Sequence, residues 1–220
     1  MAMARFKDLV LDAVDAQLLG RFWAQALRLD WHVQDNGDGW LSGPTPRHTI
    51  WINQVPEPIT AKNRVHFDVY VTSLAELEAL GATVVESQSR WTVMADPEGT
   101  LFCAFLRDEV PPDRLHGLVV DSADPVAIAT WWAGVFHAPV EISPQGWATV
   151  SEIPGIPMLT LDFNPVPEPK TVKNRVHWDV EATDVGLLVD AGATLLRPQG
   201  SDLDWHVLAD PQGNEFCAFS

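Results

Sequence analysis

The sequence predicts an α+β protein of two tandem domains, each built from two βαβββ units, and three observations carry that reading. Val55 to Val69 reads VPEPITAKNRVHFDV and Val166 to Val180 reads VPEPKTVKNRVHWDV, with 12 of 15 positions identical at an offset of 111. ADPEGTLFCAF from Ala95 recurs as ADPQGNEFCAF from Ala209, with 8 of 11 identical at an offset of 114. Within each copy the apolar residues switch from alternation to helical spacing and back, twice over.

Shorter matches extend the repeat to nearly the whole chain: LVLD at Leu9 with LVVD at Leu118, FWAQAL at Phe22 with WWAGVF at Trp131, and Gly39-Trp40 with Gly146-Trp147. The seam falls in Leu106 to Arg114, LRDEVPPDR, whose charges and Pro-Pro pair exclude a sheet interior. Residues 1–110 and 111–220 are thus the two domains, each long enough to bury a core of its own.

The elements of copy one follow in order. Leu9 to Val14 reads as a strand, and Asp15 is placed to cap a helix to about Leu29, on which Leu18, Leu19, Phe22, Trp23 and Ala26 recur at helical spacing. Short strands follow near Trp31 to Gln34, Gly39 to Ser42 and His48 to Gln54, divided by an Asn-Gly-Asp-Gly turn and a Pro-rich loop. The second round starts with a cleanly alternating strand, Arg64 to Thr72. A helix from Leu74 to Leu80 stops at Gly81, and strands near Thr83, Trp91 and Leu101 complete the unit.

Composition narrows the function classes. With 30 acidic against 14 basic residues, a formal charge of -16, the chain repels phosphate backbones and anionic membrane surfaces, so neither nucleic acid nor membrane is an expected partner. The apolar run after Met1 is broken by Asp8 and Asp12, which fits neither a signal peptide nor a spanning helix and places the protein in the cytoplasm. Cys103 and Cys217 occupy matching positions in the repeats, as expected of one reduced thiol per domain.

The paired βαβββ units, the R-V-H-[FW]-D-V strand and the closing A-D-P-x-G-x-x-F-C-A-F resemble the glyoxalase / bleomycin-resistance / extradiol-dioxygenase (vicinal oxygen chelate) superfamily across both copies. The resemblance implies that two units set their sheets side by side as a curved, open cup, with helices outside and a small molecule inside. It implies a pseudo-dimer of the two domains within one chain, the whole being a monomer or homodimer. In metal-using members four positions line the cup. Carried across, the His position falls on His66 and His177, the last-strand acid on Cys103 and Cys217, the first-strand ligand near Asp8 and Gly117, and the fourth-strand acid near Trp51 and Asp162.

No complete ligand set results, so the expected cup is metal-free; the alternative is a divalent metal on Asp162, His177 and Glu215. Alternation in Arg64 to Val71 sets Val65, Phe67, Val69 and Val71 on one face and His66, Asp68 and Tyr70 on the other, and the second copy repeats this with His177, Asp179 and Glu181. The expected ligand-binding residues are His66, Asp68, Cys103, Trp40 and Trp51, with His177, Asp179, Glu215, Cys217 and Trp147. Trp side chains on a cup wall suit a neutral or cationic aromatic molecule. Two functions follow: a drug-sequestering type of binding protein, or a metal-dependent lyase, isomerase or dioxygenase with its site in copy two or shared between copies.

Overall fold

A computed structural model describes all 220 residues. Copy one contains β1 (Ala4–Ala13), α1 (Ala16–Leu27), β2 (Asp30–Val33), β3 (Gly39–Ser42), β4 (Ile50–Gln54), β5 (Val65–Val71), α2 (Leu74–Ala79), β6 (Thr83–Ser87), β7 (Thr92–Ala95) and β8 (Leu101–Leu106). Copy two repeats it with β9 (Leu115–Ser122), α3 (Pro125–Phe136), β10 (Val140–Ile142), β11 (Ala148–Ser151), β12 (Thr160–Pro165), β13 (Val176–Ala182), α4 (Val185–Asp190), β14 (Thr194–Arg197), β15 (His206–Ala209) and β16 (Glu215–Phe219). Asp15 caps α1 by accepting from the Leu18 backbone N–H at 2.9 Å, and Asp124 caps α3 from Ala127 at 3.0 Å. No helix is long and apolar enough to cross a membrane.

The α+β architecture expected from the sequence is present as two eight-stranded mixed sheets. The partner of each unit, which the sequence left open, lies in the other copy. One sheet runs β14-β15-β16-β13-β1-β4-β3-β2, joining the last unit of copy two to the first unit of copy one. The other runs β10-β11-β12-β9-β5-β8-β7-β6. Each seam is antiparallel, β1 on β13 and β5 on β9, whereas first and last strands within a unit run parallel. Exchanging the copies maps one strand order onto the other, a two-fold relation in topology.

Helices α1 and α3 lie between the backs of the sheets. Trp23 of α1 meets Phe67 and Phe102 edge to face, each at 5.1 Å, while α1 also packs on β2, β3 and β4. In copy two Trp132 meets Trp178 at 4.8 Å and Phe216 at 5.1 Å. Leu18 stays outside this stripe, exposed at the helix surface. Each copy thus has an aromatic hub of its own. The core as a whole is one cluster of 49 buried residues from both copies, so the separate core expected for each half holds only for its hub.

The linker between the copies is pinned. Arg114 is 1% exposed and donates through Nη1 to the Ala26 carbonyl at 3.1 Å and to Glu76 at 3.0 Å, while Asp113 lies 2.8 Å from His48 Nε2.

Candidate functional site

The faces opposite the helices carry the site residues, and the register fixes which residues meet. In the first sheet Val10 is paired with both His177 and Trp51, Trp51 with Trp40, and Trp40 with His32, making one row across the β13-β1-β4-β3-β2 strands. Asp179 and Cys217 are paired beside it on β13 and β16. Phe67 and Trp178 point to the helices, so His66 and His177 face the other way, as the alternation required.

A cavity of about 590 Å³ lies on this face, lined by Val10, Trp51, His177, Trp205, Cys217 and Phe219 among others. Strands from two different copies wall it, so the sheet curls into a cup around it. Trp40 stacks on His32 with centroids at 4.8 Å and lies 5.7 Å from Trp51, extending the aromatic wall.

Charges around the rim are paired. Lys173 reaches Asp12 at 2.6 Å, Lys170 reaches Glu215 at 2.7 Å, Arg197 pairs with Asp202, and Lys7 pairs with Asp8 while its ammonium lies 4.5 Å from the Phe219 ring centroid. Lys7 and Asp8 sit at an irregularity in the β1–β13 register between Phe6 and Leu9. A bulge of this kind redirects a side chain that strict alternation would send to the back. The strand read from the sequence begins at Leu9 whereas β1 begins at Ala4, so Lys7 fell outside the segment whose faces the sequence assigned.

The second sheet builds a different cup. His66 and Asp162 are both paired with Val119, and Asp162 accepts from Thr149 at 2.5 Å and Thr160 at 2.6 Å. Gly117 leaves room for that carboxylate, since a Cβ there would come within 3.1 Å of Asp162 Oδ2. Tyr70 stacks on His116 at 4.4 Å, and the Arg107 guanidinium covers Tyr70 at 4.9 Å.

Three expectations are corrected by this register. Trp51 shares a cup with His177 rather than His66, because the units pair across copies. The alternative metal set Asp162, His177 and Glu215 is not assembled, since Asp162 lies on the other sheet and both Glu215 oxygens are taken, by Lys170 and by the Asn174 backbone N–H at 3.1 Å. Trp147 is not the counterpart of Trp40. Gly37 and Gly146 share the positive φ of the turn, 95° and 92°, so Trp147 falls at the position of Asp38 on a rim, and Thr149 at that of Trp40.

The four superfamily positions therefore hold Asp8, Trp51, His177 and Cys217 in one cup, and Gly117, Asp162, His66 and Cys103 in the other. An indole cannot ligate, and Trp51 Nε1 instead donates to Asp8 at 3.3 Å while Lys7 occupies the same carboxylate. Glycine offers no ligand at all. Neither cup fits the four-ligand metal of that superfamily.

At the base of each cup lie a histidine, an aspartate and a cysteine with ligand-type atoms within 4.8 Å of one another. Burial lowers His177 and His66 to about 4 and raises Asp179 to about 7 and Asp68 to about 8, the latter helped by Asp162. Burial and the neighbouring aspartate push both thiols up. A thiol so held is no nucleophile at neutral pH, and the aspartate approaches the same Nε2 as the sulfur, so this is no catalytic triad either.

These shifts predict a pH dependence of stability for chelator-treated protein. Above pH 6.5 the folded state holds the Asp179 proton up to about 7 and the Asp68 proton up to about 8, whereas the unfolded chain has released both near its ordinary 3.8. Stability therefore falls as pH rises, by about 1 kcal/mol per pH unit while a group is still largely protonated in the folded state and by progressively less as pH passes its folded value. Between pH 4 and 6.5 the two histidines, neutral when folded and protonated when unfolded, oppose that slope and flatten it. Urea melts across this range should show the fall above pH 6.5, and the Asp68→Asn/Asp179→Asn variant should lose it. An unchanged slope in that variant would refute the assignment.

With the geometry described, comparison with known proteins is decisive for family. The model of the glyoxalase-like domain matches twice, over residues 8–105 and 117–219. The chain belongs to the glyoxalase-like domain family. No curated protein sequence matches significantly. Among solved structures, this glyoxalase-like chain is similar to glyoxalase I from Zea mays, with a TM-score of 0.68 at 11% identity, covering 98% of this chain and 92% of that one. The cppA protein from Streptococcus pneumoniae gives 0.54 at 14% identity with both chains fully covered. At such identities the likeness is one of fold.

Proposed function

We propose that this glyoxalase-like protein binds a small aromatic molecule in the cup formed by β1–β4 and β13–β16. The observation that carries the proposal is the cavity of about 590 Å³ with Trp51, Trp205 and Phe219 on its walls and polar groups at its base. Its volume is in the range of small-molecule sites, and flat rings on two sides supply area at little entropic cost. The paired rim charges favour a neutral ligand over the cation that the net charge alone suggested, because local ion pairs cancel most of the field at the mouth. A cytoplasmic location is part of the same reading.

Titration of intrinsic Trp fluorescence with neutral aromatics, cationic aromatic antibiotics and anionic glutathione conjugates tests it. Neutral aromatics should bind tightest, and Trp51→Ala and Trp205→Ala should each weaken them about ten-fold or more, the loss of one buried ring contact. Affinity unchanged in both variants, or binding of the anionic conjugates alone, would sink the proposal.

A further inference from the structure

We propose a second binding site, for an aryl carboxylate, at which Trp91 and Phe105 hold the ring while Arg90 and Arg107 hold the carboxylate. It lies on the second sheet, where the antiparallel pairing of β7 with β8 ends at Thr92 opposite Ala104, beside a cavity of about 520 Å³. Residues 88–92 line one side of that cavity and residues 104–107 the other. None of the four superfamily positions lines it, and Arg107 lies beyond the first matched domain, which ends at residue 105. The site is therefore separate from the base of either cup.

Its wall is aromatic and its charge is unpaired. Trp91 is exposed, and its ring lies 6.0 Å from that of Phe105 with the planes 33° apart. The Arg107 guanidinium lies over Tyr70 at 4.9 Å and 5.8 Å from the Phe105 centroid. Stacking of this kind occupies the face of the group and leaves its N–H donors in the plane, where only one is turned to a carbonyl, that of Leu106 at 2.9 Å. Neither Arg90 nor Arg107 has a carboxylate within 4.0 Å, whereas Lys7, Lys170, Lys173 and Arg197 around the first cup are all paired. Free guanidinium forks beside flat rings match the two parts of an aryl carboxylate, the anion by paired hydrogen bonds and the ring by stacking.

Comparison of the copies points the same way. Trp91 and Phe105 are matched by Trp205 and Phe219, a ring pair 5.5 Å apart at the same 33°. Arg90, however, is matched by Asp204, and Tyr70 by Glu181. The rings are kept while the charge beside them reverses. The net charge of -16 opposes an anion at long range, but salt screens exposed charges beyond about 8 Å, so the nearest groups decide. What field remains weighs twice as heavily on a dianion, which favours a carboxylate over an aryl phosphate.

Naphthoate is the probe and the neutral naphthamide its near-isostere, with calorimetric titration of the full chain as the readout. Naphthoate should bind, and should keep its affinity in the Trp51→Ala/Trp205→Ala variant, where the first cup is disabled. In that background it should bind more tightly than naphthamide, and added salt should weaken the acid without affecting the amide. Arg90→Gln and Arg107→Gln, both at exposed positions, should each weaken naphthoate about five-fold, and Trp91→Ala about ten-fold. Arg107→Lys should recover only part of the loss, since it keeps the charge without the planar fork. The site is overturned by no measurable binding of naphthoate, by equal affinity for acid and amide, by affinity unchanged in Arg90→Gln/Arg107→Gln, or by binding lost in Trp51→Ala/Trp205→Ala. The first-cup proposal is judged on neutral aromatics and on its own two variants, so the two stand or fall separately.

Discussion

Residues 1–110 expressed alone are expected to form a homodimer and no stable monomer. Cutting the chain there strips β1 of β13 and β5 of β9, turning two central strands into open edges with unpaired backbone groups. The repeat supplies the remedy, because β13 and β5 are nearly the same strand: a second copy of 1–110 can offer its β5 to β1 as β13 does. Sedimentation should show a dimer at micromolar concentration, dissociating only with loss of structure. Mixing with residues 111–220 should instead yield the one-to-one pair when both fragments are refolded together. A folded monomer of 1–110 would mean that the exchange of strands between copies is dispensable.

Trp132→Ala should be among the most damaging single changes. The indole is 0% exposed, touches Trp131, Phe136, Trp178 and Phe216, and donates from Nε1 to Asp210 Oδ2 at 3.1 Å. Truncation leaves a cavity between the two sheets and removes a donor from a buried carboxylate. Such changes cost about 3–5 kcal/mol, which for a chain of this size lowers the melting temperature by about 10 °C or more. Trp132→Phe keeps much of the volume and should cost less than half as much. A shift under about 2 °C for the alanine variant in a thermal melt would show that the hub can collapse to fill the space.

The sequence told much about faces and little about partners. The alternation of Val65, Phe67 and Val69 against His66 and Asp68 gave the correct side for every residue of β5 and β13, because period two admits only two answers. It could not say that β13 lies on β1, since an apolar strand face is compatible with many neighbours. Long-range pairing therefore escaped, and with it the meeting of Trp51 with His177. The mismatch of Trp40 with Trp147 has another cause: a Gly-Trp pair outweighed the turn, whose glycine with positive φ is Gly37 rather than Gly39. Lys7 escaped because β1 extends back to Ala4, ahead of the strand read from Leu9, and its bulge lies in that extension.

The exchange of units has a further consequence. A homodimer of single domains would repeat every cup residue twice, since its symmetry copies any substitution into both sites. Joining the two copies in one chain lifts that constraint: position 51 changes one cup alone and position 162 the other. Tryptophan at the first and a threonine-held aspartate at the second record such a divergence, so one symmetric frame presents two sheet faces of different chemistry.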